Sequence, residues 1–95
     1  MRYSVEESKR AIALVGKCIV VAEADHYFGG EDSQPYMSPV MEDPTWGKLF
    51  NCAKAQQKKT KDIHHCFFEG FFVRRHVAVV DGIRPITVIT LSLGS

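Results

Sequence analysis

The segment "DIHHCFFEGFF", residues 62–72, carries the densest group of chemically versatile side chains in the chain. His64, His65, Cys66 and Glu69 supply imidazole, thiol and carboxylate groups, which serve in metal binding, nucleophilic attack and proton transfer. Successive residues of a strand point to opposite faces of the sheet. His64 and His65 therefore cannot bind the same metal ion. His64 and Cys66 would lie on a common face, as would His65 and Glu69.

The spacing of these groups fits neither a metal centre nor a thiol nucleophile. No zinc-finger spacing and no H-E-x-x-H motif occurs, so we predict no metal and no cofactor. Cys66 lies in an aromatic run away from any predicted helix N-terminus, which does not favour a thiolate. Glycine-rich phosphate loops and the G-x-S-x-G elbow are also missing from the sequence.

General acid–base chemistry asks for less, because one histidine and one carboxylate in a half-dry pocket suffice. The catalytic candidates are His65 and Glu69 on one sheet face, with Asp25 and His26 brought in from elsewhere. The alternative is that His64 and His65 are hydrogen-bonded at a sheet edge or in a subunit contact.

Aromatic and cationic residues near such a pocket are the ligand-binding candidates. They are Tyr27, Tyr36, Trp46, His64 and Arg75. Arg74, Arg75 and His76 are predicted to form a solvated or interfacial stretch, with an anion site as the alternative.

Composition excludes several other classes of function. A chain of 95 residues that is 45% hydrophobic and 24% charged is typical of one globular domain. Its net charge of +1 does not favour a nucleic-acid partner, although four lysines lie between residues 54 and 61. No apolar run is long enough to span a membrane, and acidic residues spoil the signal-peptide pattern, so we predict a cytosolic protein. Three cysteines without a C-x-x-C pair indicate buried free thiols.

The periodicity predicts a helix over about 5–28, in which a capping box at Ser4–Glu7 precedes an apolar stripe. "KCIVVA", residues 17–22, can instead be a strand, because β-branched residues favour extended chain. Residues 29–42 are predicted to form a lid-like loop. A second helix is predicted over about 44–60, with Asp43 as N-cap and Pro44 at its first position.

From about residue 62 to 94 the chain is rich in β-branched and aromatic residues and predicts an antiparallel meander. Asp81-Gly82 is a hairpin signal, and Glu69-Gly70 indicates a turn or a bulge. Pro85 cannot donate to a ladder, so either the last strand is at the sheet edge or the preceding loop is wider than two residues. The predicted fold is one α+β domain with two helices on a three- or four-stranded antiparallel meander.

Both parities of the predicted strands are apolar, so the sheet has no face suited to water. A second copy of the chain is the simplest cover, which predicts a homodimer or higher homo-oligomer. A ligand, or a strand made from residues 17–22, is the competing cover. We therefore predict a binding or accessory protein with a groove for a small organic ligand or a protein partner. The alternatives are a lyase- or isomerase-type acid–base enzyme and a purely structural oligomer.

Overall fold

The computed structural model describes residues 9–27, 29–61, 67–77 and 85–94. Over these ranges the chain forms one helix and five strands in a mixed sheet. In chain order they are β1 (Lys17–Ala22), β2 (Tyr36–Met37), β3 (Met41–Glu42), α1 (Trp46–Thr60), β4 (Phe67–Val77) and β5 (Ile86–Gly94). The predicted capping box and the predicted hairpin at Asp81-Gly82 lie outside the described residues.

The sheet is not the predicted meander. Its order is β2-β1-β5-β4, and β3 pairs with β1 on the same side as β2. β1 runs parallel to β5, with Val20 opposite Ile89, while all other pairs are antiparallel. The prediction of two helices on an antiparallel sheet is therefore wrong, because residues 17–22 of the first predicted helix form a strand, and this strand pairs in parallel with β5.

The burial of β1 explains why the sequence pattern predicted a helix there. Its apolar run is buried within the sheet between β5 on one side and β2 and β3 on the other. Such a strand has apolar residues on both faces, and its pattern resembles that of a buried helix. The alternative reading of residues 17–22 as a strand is confirmed. Gly16, with φ +102°, sets the backbone in a conformation that other residues rarely adopt, immediately before the strand begins.

Residues 29–42 form the edge of the sheet rather than a lid. Two short strands in this segment pair with β1, and two buried serines complete the hydrogen bonding between them. The Ser38 hydroxyl accepts from the Val20 amide at 2.8 Å, while the Ser38 amide donates to the Val20 carbonyl at 2.9 Å. The Ser33 hydroxyl accepts from the Asp25 amide at 2.7 Å. Side chains thus replace ladder hydrogen bonds where the segment leaves β-geometry.

The predicted second helix is confirmed as α1, but its cap is different. Thr45 is the N-cap, and its hydroxyl accepts from the Lys48 amide at 3.2 Å. Asp43 is displaced from that role because its carboxylate accepts from the Gly16 amide at 2.6 Å. The helix ends at Lys61 with φ 59°, and Lys58 and Lys59 in its last turn complement the helix dipole.

The core lies between α1 and one face of the sheet. It consists of seven buried residues: Cys18, Val20, Leu49, Cys52, Ala53, Ile89 and Leu91. Trp46 extends this layer towards β4, with its ring centroid 5.9 Å from that of Phe68 and 5.6 Å from that of Phe71. The opposite side of the sheet, called here the open face, has no helix among the described residues.

Two register shifts interrupt the pairing of β4 with β5. The ladder passes from Phe68 directly to Gly70, and from Val73 directly to Arg75, so Glu69 and Arg74 are extra residues. The prediction of a bulge at Glu69-Gly70 is thereby confirmed. β5 is an interior strand, so placing the last strand at the edge is wrong; Pro85 instead precedes β5 and avoids the ladder.

Candidate binding groove

A groove with a volume of about 410 Å³ lies on the open face and crosses β1, β5 and β4. Val88 and Thr90 of β5 line it, together with Val21 and Ala22 at the end of β1 and Glu23, which follows that strand. Arg74 and Arg75 line it from β4, and Pro35 lines it from the segment before β2. The groove is therefore built by four separate stretches of the chain that meet only in the folded sheet.

The register explains the apolar part of the groove. Cys18 and Val20 are in the core, so the alternating residues Ile19 and Val21 point to the open face. Ile19 is opposite Val88, which therefore lies on the same side of the sheet. Val88 is nonetheless buried. An apolar floor of this kind is what a ligand with a hydrocarbon body requires.

The second bulge supplies the charge. Arg75 is opposite Val88 and so stands on the open face, while the extra residue Arg74 also reaches the groove. Two consecutive residues of a regular strand would point to opposite faces, and a bulge is the device that re-aims one of them. Both arginines are exposed. Glu23, which follows β1 and is also exposed, lines the groove as well.

Guanidinium groups bind carboxylate and phosphate oxygens through pairs of parallel hydrogen bonds. Two of them beside an apolar floor form a surface on which an organic anion can be held at both its head and its body. Glu23 adds a hydrogen-bond acceptor and a negative charge, which disfavours a ligand that is anionic along its whole length.

Of the predicted ligand-binding residues that the structure describes, Arg75 alone lines the groove. Tyr27 is 87% exposed and lies in a turn, where its amide donates to the Asp25 carboxylate at 3.1 Å. Trp46 packs under the opposite side of the sheet, against Phe68 and Phe71. His64 lies outside the described residues.

The predicted catalytic residues are dispersed in the part of the chain that can be described. Asp25 and His26 belong to the turn after β1, where the His26 Nδ1–H donates to the Gly30 carbonyl at 3.0 Å. The exposed Glu69 is in the first bulge of β4, and its carboxylate occupies the space above Gly94 that a Cβ would fill. His65 lies outside the described residues, so the acid–base hypothesis stays a prediction.

Tyr36 belongs to a chain of polar atoms in the core. Its hydroxyl donates to the Cys52 sulfur, and the Cys52 thiol lies 3.8 Å from the Met41 sulfur. Burial, followed by the contact with Cys52, raises the pKa of Tyr36 to about 12. Burial also raises the pKa of the Cys52 thiol, although the Tyr36 hydroxyl partly opposes this.

Cys18 completes this interior cluster. Burial raises the pKa of its thiol, and the nearby Cys52 adds to the rise. Both thiols are therefore protonated and unreactive at neutral pH. The prediction of buried free thiols is confirmed for Cys18 and Cys52, whereas Cys66 lies outside the described residues.

Sequence reasoning missed most of the groove. Val21 and Val88 were recognisable as apolar strand residues, but their common face depends on the parallel pairing of β1 with β5. The signal that was available is the consecutive pair Arg74-Arg75, for which an anion site was the alternative prediction.

The comparisons with known proteins identify no relative: no protein-family model, no curated protein and no solved structure matches the chain. Within the ranges that the structure describes, no helix is long and apolar enough to cross a membrane. In the same ranges, no three histidine, cysteine or acidic side chains are grouped as metal ligands would be.

Proposed function

We propose that this protein is a binding module for a small organic anion with an apolar body, held in the groove on the open face. The observation that carries the proposal is the pair Arg74-Arg75, which a bulge brings to the edge of an apolar floor. The floor favours a hydrocarbon or aromatic group, and the arginines favour a carboxylate or phosphate at its end.

The dimensions of the groove agree with a small ligand. Its volume of about 410 Å³ is within the range of small-molecule sites, which run from roughly 300 to 1,000 Å³. The apolar lining residues come from β1, β5 and Pro35, whereas both arginines come from β4. The apolar part of a ligand would therefore lie towards β1 and β5, and its acidic group towards β4.

The competing interpretation is that Arg74 and Arg75 are ordinary solvated side chains, as most arginines are. The bulge argues against this, because a regular strand would direct one of the pair away from the groove. Probes that share one apolar body and differ in head-group charge distinguish the two interpretations, since arginines that are merely solvated would give no saturable preference for the anionic probe at the residues of the groove.

The experiment is a titration of isotope-labelled protein followed by amide NMR, with octanoate, octan-1-ol and octylammonium as probes. The three probes share one apolar body and differ in head-group charge. We expect octanoate to give saturable shifts at Val21, Val88 and Thr90 and to bind more tightly than the other two. Equal affinity for all three, or shifts confined to other surfaces, would overturn the proposal.

A pair of double variants tests the role of the arginines. Replacement of Arg74 and Arg75 by glutamine should weaken octanoate binding about tenfold or more, since charge-assisted hydrogen bonds each contribute about 1.5–3 kcal/mol. The matched control replaces Lys58 and Lys59 by glutamine, because these are exposed cations on α1, outside the groove. The control should bind octanoate as the unaltered protein does.

A further inference from the structure

β4 is a long strand that lies at the end of the sheet order formed by the described strands. It has eleven residues and pairs with β5 on one side, while no described strand pairs with its other side. Its open-face side chains are unusually apolar for an edge: Phe67 is 64% exposed, Phe72 is 63% exposed and Val77 is 41% exposed. Exposed apolar edge strands are templates for pairing with another chain.

The sequence of β4 is complementary to itself in one antiparallel register. When Phe72 of one copy is opposite Phe72 of another, Phe67 comes opposite Val77 and Glu69 comes opposite Arg75. Directly opposed residues of an antiparallel pair lie on the same face, so these contacts form on the open face. The register thus joins aromatic to aromatic, apolar to apolar and acid to base.

The two bulges also match in this register. Edge-strand bulges usually discourage pairing, because they break the row of free amides and carbonyls. Here the bulge at Glu69-Gly70 of one copy is opposite the bulge at Arg74-Arg75 of the other. Each copy has one extra residue on either side of Phe72, so the strand ends return to the same alignment.

From this match we infer that a second copy of the chain pairs with β4 across a two-fold axis at Phe72, joining the two sheets edge to edge. A two-fold axis requires a patch that is complementary to itself, which is the property that this strand has. The inference goes beyond the binding function, because it holds whether or not the groove takes a ligand. The dimer would also bring Glu69 of the second copy to the arginine side of each groove.

Disulfide trapping tests both the dimer and its register. Phe72→Cys, in a Cys66→Ser background, places the two new thiols on the axis. Opposed residues of an antiparallel pair have Cα atoms about 4.5–5.5 Å apart, within the range that a disulfide spans. We expect mild oxidation to produce a cross-linked species of twice the 10.7 kDa chain mass.

Val77→Cys in the same background is the matched control. Val77 is exposed like Phe72 but is five residues from the axis, so its two copies would be about 34 Å apart and should not cross-link. A mixture of the Phe67→Cys and Val77→Cys proteins should cross-link, because these two positions are opposed. Cross-linking of Val77→Cys alone, or none by Phe72→Cys, would overturn the register.

Charge reversal supplies a measurement that needs no oxidation. Light scattering after size exclusion should show a dimer for the unaltered chain, and Glu69→Arg should raise the dimer dissociation constant at least tenfold. The double variant Glu69→Arg with Arg75→Glu restores opposite charges and should recover much of the affinity. A monomer at every concentration, or equal dimerisation by all three proteins, refutes the inference. Octanoate binding by a monomeric variant would show that the groove functions independently.

Discussion

Replacement of Ser38 by alanine should destabilise the fold far more than its place in a loop suggests. Ser38 is 4% exposed, and its hydroxyl accepts from the Val20 amide at 2.8 Å and donates to the Pro39 carbonyl at 3.0 Å. Val20 is fully buried, so the substitution leaves its amide without a partner and out of reach of water. An orphaned buried donor costs about 1–3 kcal/mol.

The measurement is urea unfolding followed by the fluorescence of Trp46, the single tryptophan. We expect the free energy of unfolding to fall by about 1–3 kcal/mol, with no change in the slope against urea. A thermal scan should show a decrease of about 4–8 °C for each kcal/mol lost. Ser92→Ala is the control, because it removes a half-buried hydroxyl for which no hydrogen bond is seen among the described residues. If Ser38→Ala lowers the free energy of unfolding by less than about 0.5 kcal/mol, or by no more than the control does, the Ser38 hydroxyl does not replace a sheet hydrogen bond to the Val20 amide.

Three further perturbations follow from the same structure. In urea unfolding, Gly29→Ala should lower the free energy of unfolding more than Gly30→Ala, because a Cβ at Gly29 would overlap the backbone oxygen of the last residue of α1. Gly30, at φ +75°, has open space around it, so an alanine there would incur only backbone strain of about 1 kcal/mol. The reverse order would contradict the packing of this turn. Leu49→Ala should lower the free energy of unfolding by about 2–5 kcal/mol, because Leu49 is fully buried between helix and sheet; a smaller loss would show that the helix does not seal the core. The pKa values of the Cys18 and Cys52 thiols are raised above the ordinary value of 9.0, so at high pH the folded state retains protons that the unfolded state releases. Their contribution to stability is therefore fully present below pH 9 and falls as the pH rises above it. The variant with both cysteines changed to alanine should show a smaller decrease of the free energy of unfolding above pH 9, and an unchanged decrease would count against burial as the cause.

The fold was predictable where local chemistry and tertiary context agree. α1 was found because an apolar face and C-terminal lysines are local signals. At Glu69-Gly70 the glycine indicated a turn or a bulge, and the structure shows the bulge. β1 was missed because its decisive property is parallel pairing with β5, about seventy residues further along the chain. A strand buried on both faces has no period of two, so its sequence alone does not distinguish it from a buried helix.

The same long-range pairing decides the candidate site. Because residues 17–22 form a strand that pairs with β5, Val21 and Val88 lie on the same face of the sheet. Together they line the apolar part of the groove, which no local sequence motif predicts. Apolar residues at both odd and even positions of the predicted strands indicated a second copy of the chain, and in the structure the apolar side chains of β4 lie on both of its faces. One set of β4 side chains packs on Trp46. The other set, which includes Phe72, lies on the open face beside an edge with which no described strand pairs. Burying that set against an identical strand would place aromatic side chains together while its charges alternate in sign. For this reason the edge of β4, rather than the broad face of the sheet, is where we expect self-association to begin.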